Sequence, residues 1–278
     1  MQAGEAAGGV SVDQAFAVPV IVGMCLAWAA SATVAAGLVG RLRRGQPVIE
    51  EHPHPPATWS GADVALVATV FVGLLVAAGN VLGSKPSLQR QLVADVVTKL
   101  GATLGGIAVL RSGGASWAAL GWAGGWRDNL RVGLGGLALV LAPLLGIAAV
   151  LDRIVPYRHP VVDYLQTTRD PFAVALVGLA AVVVAPVAEE FFFRRVLQGW
   201  LEARLPEAGG AAAVGLSAAA FAAAHAGHGL APAPLFLLGV ALGIVARRTG
   251  SLVPCVILHA AFNAVGVGLI LLAQRAGG

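Results

Sequence analysis

Residues 173–201 read AVALVGLAAVVVAPVAEEFFFRRVLQGWL. An apolar run ends on two adjacent carboxylates, Glu189 and Glu190, followed by three phenylalanines and two arginines. A charged side chain near a bilayer centre costs about 3 kcal/mol even on the lenient insertion scale, so it usually faces a protein interior or a wet cavity. With the helix continued past Pro186, Glu190 and Arg194 stand one turn apart on one face. Arg194 can then grip Glu190 at two points. Glu189 lies about 100° further round and is left less neutralised, as suits a general base. Pro186 removes a backbone donor, and breaks of that kind at membrane depth line functional cavities.

The surroundings agree with a membrane setting. Of 278 residues, 12% are charged and 58% hydrophobic, against about 25% charged in a soluble domain. The fold class is therefore all-α, a polytopic transmembrane helix bundle of about eight spans. A span needs about 20 mostly apolar residues. The candidates are Ala15–Val39, Val64–Leu82, Leu92–Leu110, Val132–Val150, Phe172–Val187, Ala211–Ala226, Pro232–Ala246 and Leu252–Ala273. Residues 1–150 read as membrane helices without a chemical signature, and 151–278 carry the motifs, all within one integral domain. No Lys or Arg precedes the first run, where Glu5 and Asp13 stand instead; a secretory signal needs a basic n-region, so the run reads as a retained span.

The net charge of +4 is spread through the loops, so nucleic acid is not implied. With eight spans, 11 Lys and Arg fall on one side and 6 on the other, which puts both termini outside by the positive-inside rule. Cys25 and Cys255 lie in apolar runs and are expected to form no disulfide. Asp95 and Lys99 interrupt the third span at i,i+4 and read as an internal ion pair, with a polar cavity as the other reading. The Pro-rich loop 50–61, with His52 and His54, reads as irregular and solvated. The segment 111–129 mixes Trp, Gly and Arg and suits the membrane interface.

Three further motifs follow. Phe221 and His225 share a face, with alanines between them that let another helix approach. His228 stands one turn beyond, beside two glycines. Gly239 and Gly243 make a GxxxG packing face. His259 and Asn263, at i,i+4, place two polar groups on one face, and two donors aimed at one point make an oxyanion hole. Peptide hydrolysis needs a base to activate water, donors for the oxyanion and a proton for the leaving amine. Glu189 or Glu190, His225, His259 and Asn263 supply these groups. No Ser or Cys beside a His offers a nucleophile, which favours direct attack by water.

EExxxR, FxxxH and HxxxN, each on its own span and flanked by APVAEEFFFRR and by LLGVALGIVARRTGSLVPCVILHAAFN, resemble the CAAX protease and bacteriocin-processing family of intramembrane endopeptidases, type II CAAX prenyl endopeptidases among them. The resemblance covers about residues 172–267. It implies an eight-helix membrane protease in which Glu189 and His225 activate water, His259 and Asn263 stabilise the oxyanion, and Glu190 and Arg194 support Glu189. The family often has Gly after the motif arginine; here Arg195 stands there. Expected partners are the lipid bilayer and a membrane-associated peptide or protein, and the expected location is a prokaryotic cell membrane, multi-pass. Two His and a carboxylate can hold Zn²⁺; a metal-free glutamate mechanism is the favoured reading. The rival readings are a proton or cation transport component, in which buried Glu and His relay charge, and a non-catalytic scaffold or immunity protein.

Overall fold

The computed structural model describes residues 12–276 apart from 53, 123, 158 and 207–209. Within them lie nine helices and no strand: α1 Val12–Arg43, α2 Gly61–Leu82, α3 Leu88–Ser112, α4 Trp126–Asp152, α5 Pro160–Thr167, α6 Pro171–Arg204, α7 Ala211–Ala223, α8 Pro232–Thr249 and α9 Val253–Ala276. The N-terminal acid Glu5 and the loop cation Arg158 lie outside the described residues.

Seven of the nine helices are long and apolar enough to cross a membrane. Large apolar side chains such as Leu26, Val81, Leu104 and Phe172 are exposed on their outer faces. A monomer in water rarely carries so much exposed apolar surface. The chain is an integral, multi-pass membrane protein.

Two spans differ from the sequence expectation. The fifth, expected to end at Val187, continues as one helical rod to Arg204. It survives Pro186 because the preceding turns, Leu179–Val184, are wide: the Ala185 N–H bonds the Ala180 carbonyl five residues back. A second wide stretch covers Phe191–Gln198. Such wide turns inside α-helices often mark functional sites. The sixth, expected over Ala211–Ala226, is helical only to Ala223. Its 13 residues span about 20 Å at 1.5 Å each, short of the roughly 30 Å hydrocarbon core. It is therefore too short to cross by itself.

The longer α6 also corrects the charge count. Arg194 and Arg195 are buried side chains of α6 and not loop cations. Removing them leaves nine basic residues against six, a weaker topological bias.

Arg195 fills its unusual position by reaching away from the carboxylates. Its Nε donates to the Ala119 carbonyl and its guanidinium lies 5.8 Å from the Trp59 ring. Trp59, buried, donates to the Val196 carbonyl at 2.9 Å. So the 50–61 and 111–129 segments are docked on α6. His54, expected in a solvated loop, instead contacts the α8 C-terminus: its Nε2 lies 3.3 Å from the Arg247 carbonyl. Gly250 there has φ +63°, and its missing Cβ is what admits the His54 ring. Around Trp59 the packed core joins Val67, Leu110, Leu120, Phe191 and Leu252. In the 111–129 segment, Trp117 and Trp122 remain exposed, consistent with the interface expected for them.

The GxxxG face does what its pattern predicts, since α7 packs on α8 through it. A Cβ on Gly243 would meet Val214 at 2.9 Å and the Gln198 side-chain carbonyl at 2.8 Å. Gly243→Leu is therefore expected to destabilise the fold by about 1–3 kcal/mol through overpacking. Thermal unfolding of the variant and parent in the same detergent checks this.

Candidate functional site

Glu190 is fully buried, and each of its oxygens has a partner. Arg194 Nε donates to Oε2 at 3.1 Å, and His259 Nδ1 lies 2.9 Å from Oε1. The i,i+4 pairing is the expected one, but the grip is at one point rather than two. Of the rest of the guanidinium, Nη1 donates to Ser217 Oγ of α7 at 3.0 Å, the plane lies 5.0 Å from the Phe221 ring, and the buried Nη2 has no hydrogen-bond partner among the described residues. Ser217 in turn donates to the Phe193 carbonyl at 2.7 Å. The network ties α6, α7 and α9 together at one level.

Glu189, one residue earlier, points to a different surface. Its Oε2 lies 4.0 Å from His225 Nε2 and 3.9 Å from His259 Nε2. These are too long for direct hydrogen bonds. His225 follows the end of α7 in a tight turn, and its Nδ1 lies 2.8 Å from the Phe221 carbonyl. A carbonyl only accepts, so Nδ1 carries the hydrogen and Nε2 faces Glu189. By the same logic, the His259 hydrogen on Nδ1 is directed to the Glu190 carboxylate. Phe221 is the shared wall, with its ring 4.8 Å from that of His225 and 5.7 Å, edge on, from that of His259.

Depth along the bundle explains why these groups meet. Glu189 sits near the middle of the long α6, not at its end. His225 stands in the turn that directly follows the short α7, at the level of Glu189.

Asn263 contributes twice over. One amide hydrogen of Nδ2 goes to the Ala181 carbonyl at 2.8 Å. That carbonyl needs an outside donor for a local reason. In the wide-turn register the Ala185 N–H is already on Ala180, and the next N–H, at position 186, does not exist because the residue is proline. Asn263 thus repairs the bond that Pro186 removes, and its second amide hydrogen remains.

Glu189, His225, His259 and Asn263 all line one cavity of about 930 Å³. Its walls are mostly apolar, from Val67 and Phe71 on α2 to Val267 and Ile270 on α9. Three residues that the motifs did not single out as site groups also line it. Lys99 on α3 lies 3.9 Å from Glu189 Oε1 and 2.8 Å from Asp95. Tyr157 and His159 stand at the α4–α5 connection, the His159 ring 4.4 Å from that of His228. The His-Pro pair at 159–160 was the available signal, because it marks a helix start: His159 Nδ1 accepts the Val161 N–H at 3.1 Å and caps α5. Among the described residues no three or more His, Cys, Asp or Glu side chains are grouped as metal ligands are.

Residues 171–265 match the family model described as type II CAAX prenyl endopeptidase Rce1-like. The match contains Glu189, Glu190, Arg194, His225, His259 and Asn263, and it leaves out α1–α5. Comparison with curated proteins and with solved structures finds no significant match.

Two outcomes follow from this geometry. Asn263→Ala is expected to lower stability by about 1–3 kcal/mol by orphaning the Ala181 carbonyl. Adding Pro186→Ala returns an N–H at that point and should recover part of the loss, as read from unfolding temperatures of both singles and the double variant. The second outcome concerns His159. Burial, then the neighbouring His228 and His225, hold its proton affinity below the ordinary 6.5, while Asp163 acts in the opposite sense. A cap that needs the Nδ1 lone pair is present above 6.5 and is lost as pH falls through the lowered folded value. Amide exchange in α5 should therefore quicken on acidification, and His159→Asn, which can still cap, should remove that dependence.

Proposed function

We propose that the protein is an intramembrane endopeptidase that hydrolyses peptide bonds with water activated by Glu189 and His225. The observation that carries the reading is the convergence of one Glu189 oxygen on two imidazole Nε2 atoms, at 4.0 and 3.9 Å, inside an apolar-walled cavity. A water with hydrogen bonds of about 2.8 Å to each of two groups at a right angle spans about 4 Å. The spacing fits one water held between Glu189 and His225.

In this reaction the water oxygen attacks the scissile carbonyl carbon as Glu189 takes its proton. The new C–O bond leaves a tetrahedral oxyanion, for which His259 and the second amide hydrogen of Asn263 are the donors. Donation from His259 Nε2 takes an imidazolium, with the Nδ1 hydrogen on Glu190. Collapse of the intermediate breaks the C–N bond, and the proton held by Glu189 passes to the leaving amine. The products are a carboxylic acid, which keeps the second water proton until it ionises, and an amine. Glu190 and Arg194 touch no reacting atom; they fix the ring of His259.

Substrate class follows from the walls. Apolar side chains from α2, α5, α6 and α9 suit a membrane-associated peptide with apolar residues beside the scissile bond. The matched family's description makes a prenylated CAAX-type peptide the first to test. No step is routed through a metal, and zinc held by Glu189, His225 and His259 is the competing arrangement.

Purified protein in detergent, incubated with a prenylated CAAX peptide and with a library of membrane-derived peptides, is expected to give new termini by mass spectrometry. Glu189→Gln should keep the parent's unfolding temperature and lose about 10²–10⁴-fold in rate, the usual worth of a general base. Chelation is expected to leave the rate unchanged. A stoichiometric zinc whose removal abolishes cleavage would replace the metal-free mechanism.

A further inference from the structure

The family match stops short of α3, yet α3 brings a cation to the candidate base. Lys99 Nζ lies 2.8 Å from Asp95 Oδ2 and 3.9 Å from Glu189 Oε1. Glu189 presents its other oxygen, Oε2, to His225 and His259. The two oxygens of one carboxylate thus have different partners, Oε1 on α3 and Oε2 on α9 and the turn after α7. Among the described residues Lys99 is the one Lys or Arg within ion-pair reach of Glu189, because Arg194 is committed to Glu190.

An i,i+4 pair that served only to bring α3 into the membrane would be neutral whichever way it faced. Here the pair faces the cavity, and its cation stands next to a third charged group. Lys99 is also mostly buried, with 18% of its side chain exposed. Its stem is held by α3, which packs directly on the stretch of α6 that contains Glu189. A flexible carboxylate with one free oxygen would rotate; a carboxylate with a cation on that oxygen keeps the other in place.

We propose that Lys99, backed by Asp95, is a positioning residue for Glu189: the ammonium holds Oε1 so that Oε2 stays aimed at the two imidazoles. The proposal rests on the reading of Glu189 as the base. Lys99 touches neither the water nor the substrate. Its loss lowers the fraction of enzyme in which Oε2 is aimed, and so acts on kcat and leaves substrate binding alone.

The test uses the full-length protein and whichever peptide the parent cleaves. Lys99→Met is expected to lower kcat about 10- to 100-fold, the scale of a small misplacement of a reacting group. Its KM should stay within about threefold, as for an interaction absent from substrate binding. Lys99→Arg, which keeps the charge, should recover most of the lost kcat. The double variant Asp95→Asn/Lys99→Met removes both charges together, keeps the span neutral, and should match the single variant in kcat while folding like the parent. Three results would overturn the proposal: kcat unchanged in Lys99→Met and in the double variant, a loss that falls on KM instead, or Lys99→Arg as impaired as Lys99→Met. Glu189→Gln separates this failure from failure of the parent reading. If Glu189→Gln is inactive and Lys99→Met is not impaired, only the positioning role falls; if Glu189→Gln stays active, the base assignment falls with it.

Discussion

Glu190 is a carboxylate with no exposed surface in the middle of an apolar rod. Removing one partner of a buried ion pair leaves an uncompensated charge, at a cost of about 3–5 kcal/mol. That constraint organises the molecule. Arg194 takes one oxygen from the same helix, His259 takes the other from α9, and Arg194 passes a further contact to Ser217 of α7. Three helices are thereby fixed at one depth. The imidazole of His259 is oriented as a consequence: with Nδ1 on Glu190, only Nε2 can face the cavity. The buried acid thus decides which edge of the ring is available for chemistry.

Glu189 can differ so sharply from its neighbour because a helix turns about 100° per residue. One carboxylate faces the protein and the other faces the cavity, although they are adjacent in the chain. The wide turns on both sides, Leu179–Val184 and Phe191–Gln198, also bear on this. Both change how backbone carbonyls are bonded relative to a regular helix. One, that of Ala181, is taken by Asn263. Another, that of Val196, receives the Trp59 indole N–H in addition to the Gly199 N–H. The irregularities become the places where other segments attach to α6. A regular rod would offer no such handles, and a fully broken one would lose the level of the two glutamates.

Much of this was legible in the chain. The i,i+4 spacings of Glu190 with Arg194 and of His259 with Asn263 are local, and local spacing survives into the structure. The hydropathy of the spans and the GxxxG face are local too. What could not be read was anything that depends on how far a helix extends or on which distant helix faces it. The charge of Arg194 and Arg195 suggested a loop, yet both are buried in the rod, one on Glu190 and the other on the Ala119 carbonyl. Ala211–Ala226 has the composition of a span, but the glycines after Ala226 let it end early. Asp95 and Lys99 were recognisable as a pair; that Lys99 faces Glu189 is a contact across ninety residues, and no pattern within either segment encodes it. His54 looked solvated because its partner, the Arg247–Gly250 turn, lies nearly two hundred residues away.

The distribution of charge around the cavity bears on how one chain serves both lipid and water. Leu26 on α1 and Val81 on α2 face outward with nothing polar to satisfy, so the bilayer can cover them. The ionisable side chains at the level of the glutamates, Asp95, Lys99, Glu189, Glu190 and Arg194, are each paired with another of the set or with an imidazole. Pairing and enclosure each lower the cost of a charge at membrane depth, and both are present. The polar groups also occupy one side of a cavity whose other walls are aliphatic and aromatic. A peptide with apolar side chains can lie against those walls without desolvating a charge, while its backbone carbonyl meets the polar side. In the proposed reaction, selectivity for where a bond is cut would come from the geometry of that polar face, and tolerance for what flanks it from the apolar remainder.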